Sequence, residues 1–186
     1  MHHSINLDKI TSDVNKKEPI TMVKVRKGMG SDAEQVITVM KNAEDSGFML
    51  FSPGERKITI DGLAKLMDSL NNSLKSSLFV AVDNNRILGY IIVQNDKPSR
   101  VAHRAYLVIG VHSESRGKGV GTALFHHVLE WAKEVKLHRL ELTVISTNDV
   151  AINLYKKMGF EVEGVKKHSL LIDDEYVDEY YMSILI

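Results

Sequence analysis

The stretch that decides the fold runs from Val111 to Thr122 and reads VHSESRGKGVGT. The apolar run Ala105–Val111 comes before it, and an amphipathic helical pattern from about Thr122 to Lys136 comes after it. Glycines at such a strand-to-helix junction let backbone N–H groups approach a ligand closely. The N-terminus of the following helix adds partial positive charge, so the junction predicts a phosphate or pyrophosphate site.

The spacing of the glycines separates this junction from the common nucleotide-binding motifs. A dinucleotide fingerprint reads GxGxxG and a P-loop reads GxxxxGK[ST], and the pattern RGxGxG in this chain is neither. Arg116, Gly119 and Gly121 match (Q/R)xxGx(G/A) instead. Downstream, after the strand-like run Arg139–Val144, residues 148–161 read NDVAINLYKKMGFE.

Together the two segments resemble the signatures of the GCN5-related N-acetyltransferase (GNAT) superfamily, (Q/R)xxGx(G/A) and NxxAxxLYxKxGF, in their order and separation. The resemblance covers roughly residues 77–186. It implies the GNAT fold, a central mixed and mostly antiparallel sheet of about seven strands flanked by about four helices. It also implies acetyl-CoA as acetyl donor, and an enzyme of the bacterial type that acetylates small-molecule amines.

The apolar periodicity along the chain predicts the element order βααβββαβαββ, which is a mixed α/β (α+β) arrangement. Two apolar runs around Asp83–Arg86 predict a β-hairpin. Ser31-Asp32 is expected to cap the first helix. Residues 1–18 are expected to form a polar N-terminal tail, and residues 19–186 a single GNAT acetyltransferase domain.

The composition excludes several classes of function. The formal net charge is +0, so there is no basic surplus for nucleic acid or an anionic membrane. The chain has 0 cysteines, which excludes a disulfide framework, thiolate catalysis and a cysteine zinc site. No apolar stretch approaches the roughly 18 residues of a membrane span, and no signal-peptide pattern opens the chain, so we expect a cytoplasmic protein. The spacing of histidines and carboxylates predicts no metal site.

The resemblance implies that backbone groups hold most of acetyl-CoA. In the superfamily, the end of the strand pairs with the pantetheine amides, and the loop and helix start hold the pyrophosphate. The matching positions are Ile109, Gly110, Val111, Arg116, Gly117, Lys118, Gly119, Val120, Gly121 and Thr122, with Asn148 and Asn153 along the CoA arm. A backbone N–H near Val111 is expected to polarise the thioester carbonyl. As alternatives, Asn148 is only a helix cap, Asn153 an exposed helical residue and Lys118 a solvated side chain.

Acetyl transfer to an amine also needs an acid for the departing thiolate and a base for the ammonium group. By resemblance the acid is Tyr155, because a phenol with a pKa near 10 keeps its proton at neutral pH. The alternative is a tyrosine that only fills the core. Candidates for the base, or for acceptor contacts, are Glu55, His103, Tyr106 and His112. A water relay is equally compatible with the sequence.

The sequence therefore predicts an acetyl-CoA-dependent N-acetyltransferase that works by direct transfer within a ternary complex. The acceptor is expected to be a primary amine on a small molecule of the amino acid or polyamine class. One alternative is a protein N-terminal or lysine acetyltransferase, which requires an open groove beside the thioester. Another is a non-catalytic acyl-CoA-binding module. The resemblance also allows a homodimer.

Overall fold

The structure of the protein is a computed structural model that describes residues 23–95 and 98–186. The polar tail expected at residues 1–18 lies outside these residues and stays a prediction. None of the helices in the described part of the chain has the length and apolar character needed to cross a membrane.

The described residues form seven strands and four α-helices, and the predicted element order and mixed α/β fold class are confirmed. The strands are β1 (Lys24–Lys27), β2 (Ser77–Asp83), β3 (Arg86–Asn95), β4 (Arg104–Val111), β5 (Arg139–Ile145), β6 (Glu161–Ile172) and β7 (Glu175–Leu185). The helices are α1 (Ala33–Glu44), α2 (Ile60–Asn71), α3 (Val120–Glu134) and α4 (Asp149–Lys157).

The predicted hairpin is formed by β2 and β3. Asp83 pairs with Arg86, and between them Asn84 and Asn85 have φ angles of 45° and 66°. Two consecutive positive φ angles are typical of the tight turn that matches the twist of the two strands, and asparagine adopts this conformation more readily than most residues. The local sequence therefore determines the turn that joins the two strands.

The expected cap of α1 is wrong in its detail. Asp32 stands at the N-cap position, but its side chain accepts no capping hydrogen bond from the helix. Its carboxylate accepts hydrogen bonds from Arg26 at 2.6 and 2.9 Å and from the Met29 N–H at 2.8 Å. The Arg26 guanidinium lowers the pKa of this carboxyl below its ordinary value, in spite of partial burial. A bidentate ion pair is stronger than a neutral cap bond, so the side chain turns toward Arg26.

Alternate residues of the central strands pack on opposite faces of the sheet. On β2, Leu78 and Val80 pack in the cluster with α1 and α2, whereas Phe79 and Ala81 pack in the cluster with α3 and α4. All four side chains are buried, as expected for a strand with helices on both faces.

The sheet order is β1-β2-β3-β4-β5-β7-β6, and β4 and β5 form its parallel pair. These two strands pair only where Arg104–Tyr106 meets Arg139–Glu141. Both continue beyond that point, β4 to Val111 and β5 to Ile145, without a further pairing between them. The sheet therefore opens at Tyr106, and the opening positions the site described next.

Candidate active site

A cavity of about 700 Å³ lies where β4 and β5 separate. Its lining includes the ends of both strands, the loop after β4, the first turn of α3 and one side of α4. The segment between α1 and α2 also contributes to the cavity, with Phe48–Phe51 and Arg56 among the lining residues. Positions far apart in the chain therefore meet at the opening of the sheet.

The free edge of β4 presents backbone hydrogen-bonding groups to the cavity. The His112 N–H donates to the Leu88 carbonyl on β3 at 2.9 Å. Because the N–H groups of a strand alternate between its two edges, those of Ile109 and Val111 point away from β3, toward the separated β5. Ile109, Gly110 and Val111 all line the cavity. An extended chain in the opening would find a row of donors and acceptors along this edge.

Gly110 has a packing role of its own. It lies opposite Tyr90 on β3, and a Cβ at Gly110 would come within 2.5 Å of the Tyr90 ring. The glycine lets this buried ring lie flat against β4. Burial raises the pKa of Tyr90 to about 12, so the phenol stays neutral.

The loop before α3 forms an open cradle. Gly117 and Gly119 have φ angles of 73° and 82°, and apart from the adjacent residues no atom lies within 4 Å of the place where a Cβ would stand on either residue. The first hydrogen bond of the helix runs from Ala123 N–H to Gly119 O, at 2.9 Å. The N–H groups of the residues between them, which line the cavity, therefore have no partner within the helix. Such a helix start binds a phosphate group.

Gly121 has a different reason to be glycine. A Cβ there would come within 2.8 Å of Leu154 Cδ2, so the glycine allows α3 and α4 to approach each other. Helix α3 begins at Val120, two residues before the expected start, because Gly119 in a left-handed conformation ends the loop.

Tyr155 lies on α4 and lines the cavity. Its ring is buried against Phe125 and Phe160, with ring centroids 5.5 and 6.2 Å away. Burial, and to a lesser extent the nearby Tyr106 phenol, raise the pKa of the Tyr155 hydroxyl above its ordinary value. The phenol therefore holds its proton at neutral pH and has the chemistry of a proton donor.

The free edge of β4, the open glycine cradle and the buried tyrosine agree with one family of proteins. The family model described as the Acetyltransferase (GNAT) family matches residues 47–160, more than half of the chain. The chain belongs to the GNAT family. The sequence resemblance is thereby confirmed.

Two curated bacterial proteins illustrate the similarity. L-amino acid N-acetyltransferase AaaT of Escherichia coli (strain K12) is 37% identical over 105 residues, which are 56% of this chain and 65% of that protein. Spermidine N(1)-acetyltransferase of the same strain is 33% identical over 87 residues, which are 46% of this chain and 47% of that protein. The chain thus spans less than two thirds of the length of both relatives.

A solved structure confirms the fold. The acetyltransferase of the GNAT family from Streptococcus pneumoniae superposes with a TM-score of 0.83 at 26% sequence identity, over 88% of this chain and 99% of that one. The seven-stranded sheet and four helices of this chain are therefore a GNAT fold.

The remaining residues expected to bind the cofactor differ in their surroundings. Arg116 lines the cavity, and its Nε donates to the Val111 carbonyl at 3.2 Å. Asn148 also lines the cavity, while its side-chain oxygen caps α4 by accepting the Ala151 N–H at 3.2 Å. Lys118 and Asn153 are exposed and are not part of the lining.

The structure brings one of the four base candidates to the cavity. Tyr106 lines it, at the point where β4 and β5 separate. Glu55 is exposed and accepts the Ser52 N–H at 2.9 Å. His103 is exposed at the start of β4, and His112 Nδ1 accepts the Glu114 N–H at 3.4 Å. The side chains of these three residues are not part of the lining.

Tyr106 also supports the opening of the GNAT sheet. Its hydroxyl lies 2.8 Å from Thr143 Oγ1 and accepts the Thr143 N–H at 3.2 Å. The phenol thus takes the place of the backbone carbonyl that β4 would supply if the two strands stayed paired. This hydroxyl compensates for the ladder bond that is lost at the opening.

We expect Tyr106→Phe to lower the free energy of unfolding by about 1 kcal/mol, because the Thr143 N–H loses its acceptor. Urea unfolding followed by circular dichroism measures the change. Tyr176→Phe, at a side chain that is 67% exposed, is the control and should stay within about 0.5 kcal/mol of wild type. An unchanged value for Tyr106→Phe would show that water replaces the phenol.

Several lining residues were not expected from the sequence. They are the Phe48–Phe51 run, Arg56, Tyr90, Ser115, Lys166 and Glu179, among others. The region Gly47–Arg56 reads as irregular because it has neither helical nor strand periodicity, so nothing in it indicates which side chains point inward. Its chemistry makes Glu55 the expected site residue of this region, but the neighbouring Arg56 is the residue that lines the cavity.

Glu179 is a buried carboxylate in the cavity wall. It accepts hydrogen bonds from Ser169 Oγ at 2.8 Å and Lys166 Nζ at 3.0 Å. Burial raises the pKa of this carboxyl, but the donors Ser169, Thr143 and Lys166 together outweigh burial and hold it below its ordinary value. Glu179 is therefore ionised at neutral pH, with Lys166 as its counter-charge.

Proposed function

We propose that this chain is an acetyl-CoA-dependent N-acetyltransferase that acetylates the primary amine of a small molecule, of the amino acid or polyamine class. Transfer is direct, within a ternary complex. The observation that carries the proposal is the cavity at the β4–β5 opening, which joins an open helix N-terminus to a buried, protonated Tyr155. Membership of the GNAT family supports the reaction, and the two bacterial relatives support the acceptor class.

The described residues fit acetyl-CoA. The empty space above Gly117 and Gly119, with the free N–H groups of Val120–Thr122, suits the pyrophosphate. The free edge at Ile109 and Val111 suits the pantetheine amides. When bound, acetyl-CoA supplies the acyl group as a thioester whose thiolate leaves.

The protein groups have separate roles in this chemistry. An N–H on the free edge of β4, near Val111, donates a hydrogen bond to the carbonyl oxygen and stabilises the charge that develops there. Tyr155 holds the proton that the departing sulfur takes up. Tyr106, the base candidate that lines the cavity, is placed to contact the acceptor, and a water relay takes the proton of the acceptor ammonium. The chain has 0 cysteines, so no thiol carries the acetyl group between two steps.

Thermal unfolding tests the cofactor part of this proposal. A ligand at about 100 times its dissociation constant adds about 2.7 kcal/mol to the free energy of unfolding. For a chain of this length we expect acetyl-CoA to raise Tm by about 5–10 °C. CoA should raise Tm as well, whereas ATP and NAD at equal concentration should not. No rise with either CoA compound would contradict the assignment of the cradle.

Release of free thiol from acetyl-CoA tests the reaction part. We expect thiol release that depends on an added small primary amine. Binding of acetyl-CoA without turnover on small amines and on peptides would favour an acyl-CoA-binding module. Turnover on peptides alone would favour a protein acetyltransferase. A cytoplasmic location and a homodimer stay predictions.

A further inference from the structure

One part of the cavity lining is not used by the proposed contacts to acetyl-CoA. It is formed by Met40 and Ala43 of α1 and by Ser46, Phe48–Phe51 and Arg56 of the segment between α1 and α2. We call these residues the acceptor wall, because they belong to elements other than the cradle and the free edge of β4. Its side chains are mostly apolar, and Arg56 is its charged member.

Arg56 is held in place from two sides. Its Nε donates to Glu44 Oε1, and its guanidinium carbon lies 4.2 Å from the centroid of the Phe51 ring. The Glu44 side chain is 1% exposed and the Arg56 side chain is 21% exposed. An ion pair with a buried carboxylate and a ring against one face fix the plane of the guanidinium.

The Nη edge of this guanidinium carries N–H donors that the contact with Glu44 does not use. Arginine has five N–H donors, and Glu44 uses the one on Nε. Within residues 23–95 and 98–186, Glu44 is the hydrogen-bond partner of this side chain, and the two Nη atoms have none. A pair of parallel Nη–H donors matches the two oxygens of a carboxylate. A second carboxylate bound through these donors would share the guanidinium with Glu44.

Two of the other charged groups of the lining, Glu179 and Lys166, are paired with each other, and Arg116 lies beside the cradle. Glu179 is bound by Ser169 and Lys166. Arg116 turns its Nε to the Val111 carbonyl, beside the cradle. No carboxylate in the described lining is therefore free to receive a second ammonium group of a polyamine. The charges of the cavity favour an acceptor that brings a negative group to Arg56.

The apolar side chains of the acceptor wall indicate the character of the acceptor molecule outside its carboxylate. Phe48, Met49 and Leu50 line the cavity together with Arg56, and Phe48 and Leu50 are 42% and 75% exposed. Apolar side chains with a single well-placed charge are typical of sites for small amphiphilic ligands. Such an acceptor can cover these exposed side chains while its carboxylate reaches the guanidinium.

We propose that the Nη edge of Arg56 binds the carboxylate of the acceptor, which is an amino acid with an apolar side chain and not a polyamine. This inference rests on the proposed acetyltransferase function. Glu44 is a positioning residue for Arg56. The inference concerns binding of the acceptor and leaves the roles of Tyr155 and the cradle unchanged.

Matched pairs of amines test the carboxylate directly. L-leucine and 3-methylbutylamine differ only by the carboxylate, as do L-phenylalanine and 2-phenylethylamine, and spermidine represents the polyamines. With wild-type protein we expect kcat/KM to be at least about 100-fold higher for each amino acid than for its matched amine. Calorimetric titration of L-leucine into the protein saturated with CoA should show binding, and 3-methylbutylamine should show none under the same conditions.

Substitutions then assign the preference to Arg56. Arg56→Lys keeps a positive charge beside Glu44 but loses the planar pair of donors. We expect it to raise KM for L-leucine about tenfold or more, with KM for 3-methylbutylamine unchanged within about twofold. The double substitution Arg56→Gln with Glu44→Gln removes both charges together and should abolish the preference. Lys57→Gln is the control, because the exposed Lys57 lies outside this lining and bonds to the Gly54 carbonyl.

The outcomes separate this inference from the proposed function. Absence of acetyl-CoA binding would overturn the proposed function itself. Binding of acetyl-CoA with equal turnover of amino acids and matched amines, or with spermidine or peptides preferred, would overturn the inference alone. Acetyl-CoA binding without turnover of any amino acid would overturn it too. An amino acid preference that persists in both Arg56 variants, with acetyl-CoA affinity intact, would also refute the role of Arg56.

Discussion

Replacement of Gly119 by valine should lower the affinity for acetyl-CoA at least about 100-fold, which corresponds to about 2.7 kcal/mol. Gly119 has a φ angle of 82°, and a β-branched residue is strained in this conformation. The new side chain would also occupy the empty space above the cradle, where apart from the adjacent residues no protein atom lies within 4 Å of the Cβ position. Both effects act on the place assigned to the pyrophosphate. Isothermal titration calorimetry with acetyl-CoA measures the loss.

Gly47→Val is the matched control for Gly119→Val. Gly47 also has a positive φ angle, 73°, and open space at its Cβ position, but it does not line the cavity. We expect this variant to show the backbone strain as a lower Tm and to keep wild-type affinity for acetyl-CoA. Near-native affinity in Gly119→Val would refute the placement of the pyrophosphate. Equal losses of acetyl-CoA affinity in the two variants would show that backbone strain causes the loss.

Tyr155→Phe should lower kcat by about 100-fold or more, with acetyl-CoA affinity unchanged within about twofold. The substitution removes only the hydroxyl, and the ring can keep its packing against Phe125 and Phe160. Because the phenol is expected to give its proton to the departing sulfur, its loss should affect the chemical step and not the binding of the cofactor. Steady-state thiol release and calorimetry measure the two quantities separately.

Tyr180→Phe is the control for Tyr155→Phe, since Tyr180 packs against the same core cluster but does not line the cavity. Unchanged turnover in Tyr155→Phe would remove Tyr155 as the acid. The pH dependence supplies a second test. Burial raises the pKa of Tyr155 above its ordinary value of about 10, so we expect no loss of the acid between pH 7 and about pH 10. If kcat falls with rising pH well below pH 10, the titration of another group must cause the fall.

The cofactor end of the site could be predicted because its residues follow one another along the chain. Residues 109–122 combine the end of β4, the glycine loop and the start of α3, and each of these has a local sequence pattern. The backbone at Gly117 and Gly119 has the positive φ angles for which glycine is suited, so the spacing of the glycines reports the conformation of the loop. The element order and the β2–β3 hairpin could be predicted for the same reason.

The acceptor end could not be predicted, because it depends on contacts between distant positions. Tyr106 meets Thr143 only because β4 and β5 are neighbours that stop pairing, and no local pattern marks where two strands separate. Arg56 reaches the cavity because Glu44, at the end of α1, holds it there. In the irregular α1–α2 segment, neighbouring side chains point in directions that periodicity does not specify. Local patterns of the chain thus determine the fold and the cofactor loop, whereas the choice of Arg56 over Glu55 at the cavity follows from tertiary packing.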